Sequence, residues 1–188
     1  VAPPGLALIA VNETAWSFMA DRRKPRGFMT DLQNLRHFAE VQAAFHPHPG
    51  TMPVNAYVAL QKSTDHILKE GLEATWARHD RVARVVRTGV RAMGLKLMAD
   101  EEAACANLTV IMADDQFLPQ AYFDFMIEEY GMQVGLGLGE YLTRSVRIGH
   151  MGLNPNLEAV VPCLVGFEQF LRRQGHNVPR GASLAGLE

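Results

Sequence analysis

Residues 145–152 (SVRIGHMG) place a lone arginine, Arg147, in an apolar, glycine-flanked stretch that predicts a β-strand. A guanidinium keeps its charge at every working pH, and its planar fork pairs bidentately with a carboxylate. A cation in a half-buried strand is costly unless an anion meets it. Two interpretations follow: an internal ion pair with an aspartate or glutamate, or a site for a ligand carboxylate. Taken alone, the residue favours the internal pair.

The bulk composition is that of an ordinary globular protein. The 188 residues are 48% hydrophobic and 20% charged, enough for one full domain or for a small domain and part of another. The formal net charge of −2 gives no reason to expect a nucleic acid or an anionic membrane as partner. No apolar run reaches the ~18 residues of a membrane span. The cysteines, Cys105 and Cys163, have no metal-ligand or disulfide spacing, which favours a cytoplasmic protein.

The beginning of the chain is unusually apolar. Residues 6–11 (LALIAV) form a continuous apolar run that predicts a strand buried on both faces. Such a strand needs a sheet around it, and the first half of the sequence contains little else that predicts strands. We therefore expect the chain to be the C-terminal part of a larger protein.

Helical patterns follow this run. Asn12 is the expected cap of a helix that begins at Glu13, and a charged turn over residues 21–27 ends it. A second helix is predicted over residues 31–44. Residues 45–53 (FHPHPGTMP) contain three prolines, which forbid a helix and predict a stiff, extended loop.

From Val54, helical periodicity continues for about forty residues, with a kink expected at Gly71. An apolar stripe on one face consists of Leu68, Leu72, Trp76, His79, Val82, Val86, Val90 and Met93. His79 on this stripe is expected to be a hydrogen-bonded core histidine rather than a ligand.

Beyond Gly94 the sequence predicts the order strand, strand, helix, strand, strand, helix. The expected ranges are 94–98, 107–112, 119–130, 132–134, 145–149 and 155–173. This order indicates an α+β layer with helices on one face of a small sheet. The remainder is rich in glycine and alanine, and we expect a flexible tail over residues 177–188.

Two loops contain candidate ligand-binding residues. Residues 135–139 (GLGLG) lack the spacing of a dinucleotide loop and favour a flexible connection close to a ligand. In the proline-rich loop, His48 and Thr51 offer an imidazole, a hydroxyl and backbone N–H groups that suit a phosphate. Thr51 as a simple helix cap is the alternative, which local chemistry alone favours. His46 and His48 lack a third ligand at suitable spacing, so no metal site is predicted.

Five segments in order resemble one family. They are APPG (2–5), HPGTMPV (48–54), EGLE followed by Arg78 and His79 (70–79), GLG (137–139) and RIGHMG (147–152). Together they are similar to the C-terminal half of class V, fold-type I aminotransferases that depend on pyridoxal phosphate. The nearest group is the alanine–glyoxylate and serine–glyoxylate (serine–pyruvate) enzymes. The resemblance covers residues 1–174.

The resemblance implies an α/β protein whose small domain is α+β. Residues 1–70 would be the end of the large cofactor-binding domain, followed by a long linking helix. Residues 71–176 would form the small domain with its entry helix, a small sheet with helices on one face. Residues 177–188 would be the tail.

The resemblance also implies roles for three residues. A threonine in the loop corresponding to Thr51 contacts the cofactor phosphate from the neighbouring subunit of a dimer, and His48 stands where the family often has a tyrosine. Arg147 matches the arginine that binds the α-carboxylate of the amino-acid or oxo-acid substrate, which reverses the preference for an internal pair. The lysine that holds the cofactor as a Schiff base would lie upstream of Val1. Lys62 is no substitute, and we expect the chain alone to be inactive.

Three functions are compatible with these features. The first is transamination by a cytoplasmic homodimeric parent, from alanine or serine to glyoxylate or pyruvate. The second is cysteine desulfuration, which needs a reactive cysteine shortly before the arginine segment, where residues 130–147 contain none. The third is a stand-alone, non-catalytic binding or dimerisation domain.

Overall fold

The computed structural model describes residues 4–21 and 27–187. The chain divides into two compact units, Val1–His66 and Ile67–Glu188. Most of the charged turn predicted over residues 21–27 lies outside the described residues, as do Ala2 and Pro3 of the APPG segment.

The described residues of the first unit contain three helices, the last of which continues into the second unit. α1 spans Glu13–Ala20, and the side-chain oxygen of Asn12 accepts a hydrogen bond from Ala15 N at 2.9 Å, which confirms the predicted cap. α2 spans Leu32–Val41. It ends earlier than residues 31–44 predicted because Phe45 N turns back to Gln42 O. α3 spans Val54–Glu70 and continues into the second unit.

The strand predicted over residues 6–11 does not form among the described residues. Leu8 is 80% exposed and Ile9 is 61% exposed, so neither face of the run is buried. A strand needs a neighbour to satisfy its backbone N–H and C=O groups, and the described part of the first unit contains no other strand. The prediction of a buried strand was wrong for this chain.

The long helical pattern is divided into α3 and α4, which spans Leu72–Ala92. Gly71 separates them with φ at +90°, a conformation that favours glycine, and this confirms the predicted break. Only the second half of the apolar stripe is buried, since Val82 is 2% exposed whereas Trp76 is 58% exposed. His79 is hydrogen-bonded, with Nδ1 donating to Thr75 O at 2.7 Å, but it is half-buried rather than in the core.

The second unit has the predicted order of elements. They are β1 (Lys96–Leu97), β2 (Leu108–Met112), α5 (Pro119–Tyr130), β3 (Gly135–Leu136), β4 (Ser145–Gly149) and α6 (Leu157–Arg173). The strands form one antiparallel sheet in the order β1-β2-β4-β3. Among the helices of the described ranges, none is long and apolar enough to cross a membrane.

β3 lies later than the predicted 132–134. Gly131 adopts a left-handed conformation with φ at +62° and closes the end of α5. Met132 N then donates to Met126 O at 3.0 Å, so residue 132 still belongs to the helix end and the strand starts three residues later.

One face of the sheet forms the core. Thr109 pairs with Ile148 and Ile111 pairs with Val146, and all four side chains are at most 3% exposed. α4 and α5 pack on the sheet, and α6 packs on those two helices, as expected for helices on one face. The opposite face contains the half-buried Val110 and Arg147.

The segment predicted as a flexible tail is instead packed as far as Leu187. A 3₁₀ helix over Ala182–Leu187 contacts α4 and α6, and Ser183 is 1% exposed. The Glu168 carboxylate accepts hydrogen bonds from Gly181 N, Ser183 N and the Ser183 hydroxyl. The small residues that suggested flexibility allow the backbone to approach α4 closely, which is why the prediction was wrong.

Candidate functional site

Arg147 lies in the middle of β4, on the sheet face that does not form the core. Its cross-strand partners are Val110 on β2 and Gly135 on β3. Because side chains alternate between faces along a strand, Val146 and Ile148 point into the core and Arg147 points to the other side. The fold therefore presents a half-buried guanidinium on the open face.

The internal ion pair that the residue alone favoured is not formed among the described residues. The Arg147 Nε donates to a neutral acceptor, the Leu136 carbonyl oxygen, at 2.7 Å. Other arginines of the described chain do pair with carboxylates: Arg36, Arg78, Arg87, Arg91 and Arg173. The two Nη groups of Arg147 keep their N–H donors and the charge remains available to an anion.

The glycine-rich connection before β4 is tightly folded rather than flexible. Gly137 N donates to Ser145 O at 2.9 Å, and the Ser145 hydroxyl donates to Tyr141 O at 3.2 Å. A Cβ atom on Gly137 would collide with the Tyr141 carbonyl. The connection begins in β3, where Gly135 lies opposite Arg147. Its closeness to a ligand stays a prediction.

Thr51 does not cap α3. The helix begins at Val54, where the Pro53 carbonyl accepts hydrogen bonds from Ala56 N and Tyr57 N. Thr51 is exposed, and its hydroxyl makes no hydrogen bond within the described residues. That hydroxyl is therefore free to donate to a ligand. The structure excludes Thr51 as the helix cap, and the phosphate contact stays a prediction.

His48 is fixed by its own loop. Its Nδ1 donates to Gly50 O at 2.6 Å, and the Nδ1 of His46 donates to His48 O at 2.6 Å. With Nδ1 used in this way, Nε2 of a neutral His48 is an acceptor, and it could donate to a phosphate only as imidazolium. In the ranges the structure describes, no group of three or more His, Cys, Asp or Glu side chains could hold a metal ion.

The candidate residues belong to different units. Thr51 and His48 lie in the first, and Arg147 lies in the second.

His150 is a structural residue of the RIGHMG segment for which the sequence analysis predicts no role. Its side chain is fully buried; Nδ1 donates to Ala106 O at 3.1 Å, and Nε2 accepts from the Thr109 hydroxyl at 2.9 Å. Burial lowers the pKa of His150, which keeps the ring neutral. The alternation of Val146 and Ile148 could have predicted its burial, since residue 150 continues it.

Glu70 and Arg78 form a clamp at the junction of α3 and α4. Arg78 Nη2 donates to Glu70 Oε2 at 2.8 Å, and this hydrogen bond lowers the pKa of Glu70 to about 2. Arg78 Nη1 also lies 3.4 Å from the carbonyl oxygens of Gly152 and Pro155. Through Arg78, the EGLE segment at the helix junction is thus connected to the loop that follows β4.

The two cysteines differ in environment. Cys163 lies in the core on α6, and burial raises the pKa of its thiol. Cys105 is exposed in the loop before β2, with its Sγ 3.4 Å from Leu108 O. Neither lies in the connection that leads into β4.

Comparison with known proteins defines the class. No family model matches the chain. An uncharacterized aminotransferase of Methanocaldococcus jannaschii is 32% identical over 94% of this chain and 45% of its own length. L-aspartate–glyoxylate aminotransferase of Paracoccus denitrificans is 36% identical over 80% of the chain and 37% of its own length. The crystal structure of pyridoxamine–pyruvate aminotransferase from Mesorhizobium loti matches with a TM-score of 0.82 and 29% identity, covering 94% of this chain and 45% of that one.

The named relatives, in sequence and in structure, are aminotransferases. More narrowly, the chain is consistent with the C-terminal half of a class V enzyme of the alanine/serine–glyoxylate type. The chain spans less than half the length of the relatives it matches.

Proposed function

We propose that the full-length protein containing this chain is a transaminase that moves an amino group from a small amino acid, alanine or serine, to glyoxylate or pyruvate. The observation that carries the proposal is Arg147, a half-buried cation whose fork is free of any carboxylate in the described chain. The two relatives named for their substrates differ in the amino donor and share a small 2-oxo acid as acceptor. A small 2-oxo acid offers one carboxylate for the arginine to bind.

Arg147 binds and orients the substrate carboxylate in this proposal. Its Nε is held by Leu136 O, so the two Nη groups form the bidentate contact. Because the Nε partner is a neutral carbonyl, the full positive charge acts on the ligand. The surrounding sheet is only partly solvated, which strengthens the ion pair over one in open water.

The residues of the first unit fit the phosphate of pyridoxal phosphate. Thr51 provides an exposed hydroxyl without an internal partner, and His48 provides Nε2 when it is protonated. Bound cofactor supplies an electron sink for the carbon that loses its proton during amino transfer. Thr51 would donate to the phosphate, and in the proposed cytoplasmic homodimer it serves the cofactor of the partner subunit.

The chain alone is expected to be inactive. A lysine that reacts with a carbonyl needs a lowered pKa, which desolvation or a neighbouring cation provides. The side chains of Lys62 and Lys96 are 74% and 71% exposed, and they pair with Asp65 and Asp114. Lys69 is exposed as well, so none of the described lysines has the environment of a reactive lysine. We propose that the catalytic lysine lies outside this chain, as the resemblance implies.

The test uses the full-length protein and begins with its absorbance spectrum in the presence of pyridoxal phosphate. We expect a band near the violet edge of the visible and amino transfer to glyoxylate or pyruvate. Absence of both the band and the amino transfer would contradict the transaminase proposal. The remaining function would then be that of a non-catalytic binding or dimerisation domain.

The role of Arg147 is tested separately. Arg147→Ala should raise KM for the oxo acid by about 30- to 900-fold, equivalent to ~2–4 kcal/mol for a lost charge-assisted pair. Arg180→Ala, which removes an exposed arginine of the second unit, should leave KM unchanged. An unaltered KM in the Arg147 variant would show that this arginine does not bind the carboxylate.

A further inference from the structure

We propose that Gly135 is a positioning residue for Arg147: the missing side chain lets the backbone of β3 hold the guanidinium in its carboxylate-binding orientation. This inference rests on the proposed function of Arg147. It assigns a specific task to the first glycine of the GLGLG segment.

The strand register brings the two residues together. Gly135 on β3 lies directly opposite Arg147 on β4, and both are on the open face of the sheet. β3 is an edge strand with no further neighbour in the described sheet. A side chain at position 135 would therefore project on the same face as the arginine.

The Arg147 side chain occupies the space above Gly135. A Cβ atom built on Gly135 would lie 3.2 Å from both Cβ and Nε of Arg147, and 3.4 Å from Nη2. Facing Cβ atoms in antiparallel sheets are ordinarily about 4.5–5.5 Å apart. An added methyl group would thus displace the stem and the head of the arginine together.

The neighbouring residue supplies the hydrogen bond that this approach permits. Leu136 O accepts from Arg147 Nε at 2.7 Å, within the distance expected of a strong hydrogen bond. The bond fixes the plane of the guanidinium, because all its nitrogens are coplanar. Displacing the side chain by a few tenths of an ångström would lengthen this bond and turn the two Nη groups away from their present direction.

Backbone conformation does not explain this glycine. Gly135 is absent from the described residues with positive φ, so an alanine could adopt its backbone angles without strain. Gly149, on the same strand as Arg147, provides a contrast. A Cβ atom there would meet only Met151 Cε, at an ordinary 3.6 Å.

The experiment compares two glycine-to-alanine substitutions in the full-length enzyme. Gly135→Ala should raise KM for the oxo acid about tenfold and change kcat far less, because a misplaced binding group weakens carboxylate binding. Gly149→Ala, the matched control, should leave both constants near those of the unsubstituted enzyme. A KM for Gly135→Ala equal to that of the control would overturn the proposal.

A double-mutant cycle separates positioning from general damage. With Arg147 already replaced by alanine, Gly135→Ala should have no further effect on KM, because nothing remains to be positioned. Additive effects would overturn the inference. If Gly135→Ala does not fold, recovery of folding in the double variant Gly135→Ala/Arg147→Ala would support the clash, and continued failure would contradict it.

The outcomes also distinguish this inference from the proposed function. If Arg147→Ala itself leaves KM unchanged, the carboxylate site is wrong and the role of Gly135 fails with it. If Arg147→Ala raises KM and Gly135→Ala does not, only the positioning role is lost.

Discussion

The two units of the chain differ in how far their apolar side chains are buried. In residues 67–187 a continuous core runs from Val82 on α4 to Val178 near the 3₁₀ helix. In the described part of residues 1–66, Ala56 is the one buried hydrophobic residue, and Phe45 is 88% exposed. The helices of both units have amphipathic sequence patterns of comparable strength. The difference shows that a pattern predicts an element, whereas burial depends on whether a complementary surface is present.

The largest expected effect tests this contrast directly. Phe167 is fully buried and stacks on Tyr122 with ring centroids 4.0 Å apart. In the 188-residue chain, Phe167→Ala should lower the free energy of unfolding by about 3–5 kcal/mol, because it removes contacts and leaves a cavity. Phe45→Ala should change it by less than about 0.5 kcal/mol. Denaturant titration followed by circular dichroism measures both, and equal losses would remove the contrast between the units.

A second prediction tests whether the C-terminal 3₁₀ helix belongs to the core of the second unit. Glu168→Ala removes the carboxylate that accepts from Gly181 N, Ser183 N and the Ser183 hydroxyl, and should cost about 1–3 kcal/mol. Gln169→Ala, at the adjacent exposed position, should be nearly neutral. In hydrogen-exchange measurements, residues 182–187 should lose protection only in the Glu168 variant. If they keep their protection there, the 3₁₀ helix does not depend on its hydrogen bonds to α6.

Glu168 also makes this anchor depend on pH. Burial raises the pKa of its carboxyl, but the hydrogen bonds from Ser183 and Gly181 outweigh burial and lower it overall. The ionised carboxylate is therefore favoured in the folded state. Its contribution is present above the ordinary value of 4.5 and is lost as the pH falls below it.

The smallest expected effect concerns His150. Burial lowers its pKa, so the unfolded chain binds a proton more readily than the folded chain. The stability contributed by the neutral ring is complete above the ordinary value of 6.5 and declines as the pH falls through and below it. Unfolding free energies at pH 7.5 and 5.5 should differ more for the unsubstituted chain than for His150→Gln. Equal differences would mean that His150 does not couple stability to pH.

Local signals predicted the elements of the second unit well. β4 has the predicted bounds, and α5 begins at Pro119, a residue suited to the first helical turn, and ends at a glycine. Elements that depend on distant partners were predicted poorly. Residues 6–11 have the composition of a strand, but no local signal reveals whether another strand is there to pair with them.

The candidate site shows the same division. The charge of Arg147 within an apolar strand was visible in the sequence. Local chemistry favoured Thr51 as a helix cap, and only the structure shows that its hydroxyl does not cap α3. The contact of Gly135 with the guanidinium follows from the register of β3 with β4, which composition does not encode. The hydrogen bonds of His150 likewise reach Ala106 in the loop before β2 and Thr109 on β2, which lie 44 and 41 positions earlier in the chain.

The alternation along β2 and β4 separates folding from chemistry. Ile111, Val146 and Ile148 point into the core, and Arg147 with its cross-strand neighbour Val110 points to the other face. In the proposed transaminase, a substitution at Val110 would change the surroundings of the bound carboxylate without altering the buried face of the sheet. Such a sheet can diversify in what it binds, because mutations on the face of Arg147 are not the mutations that remove side chains from the core.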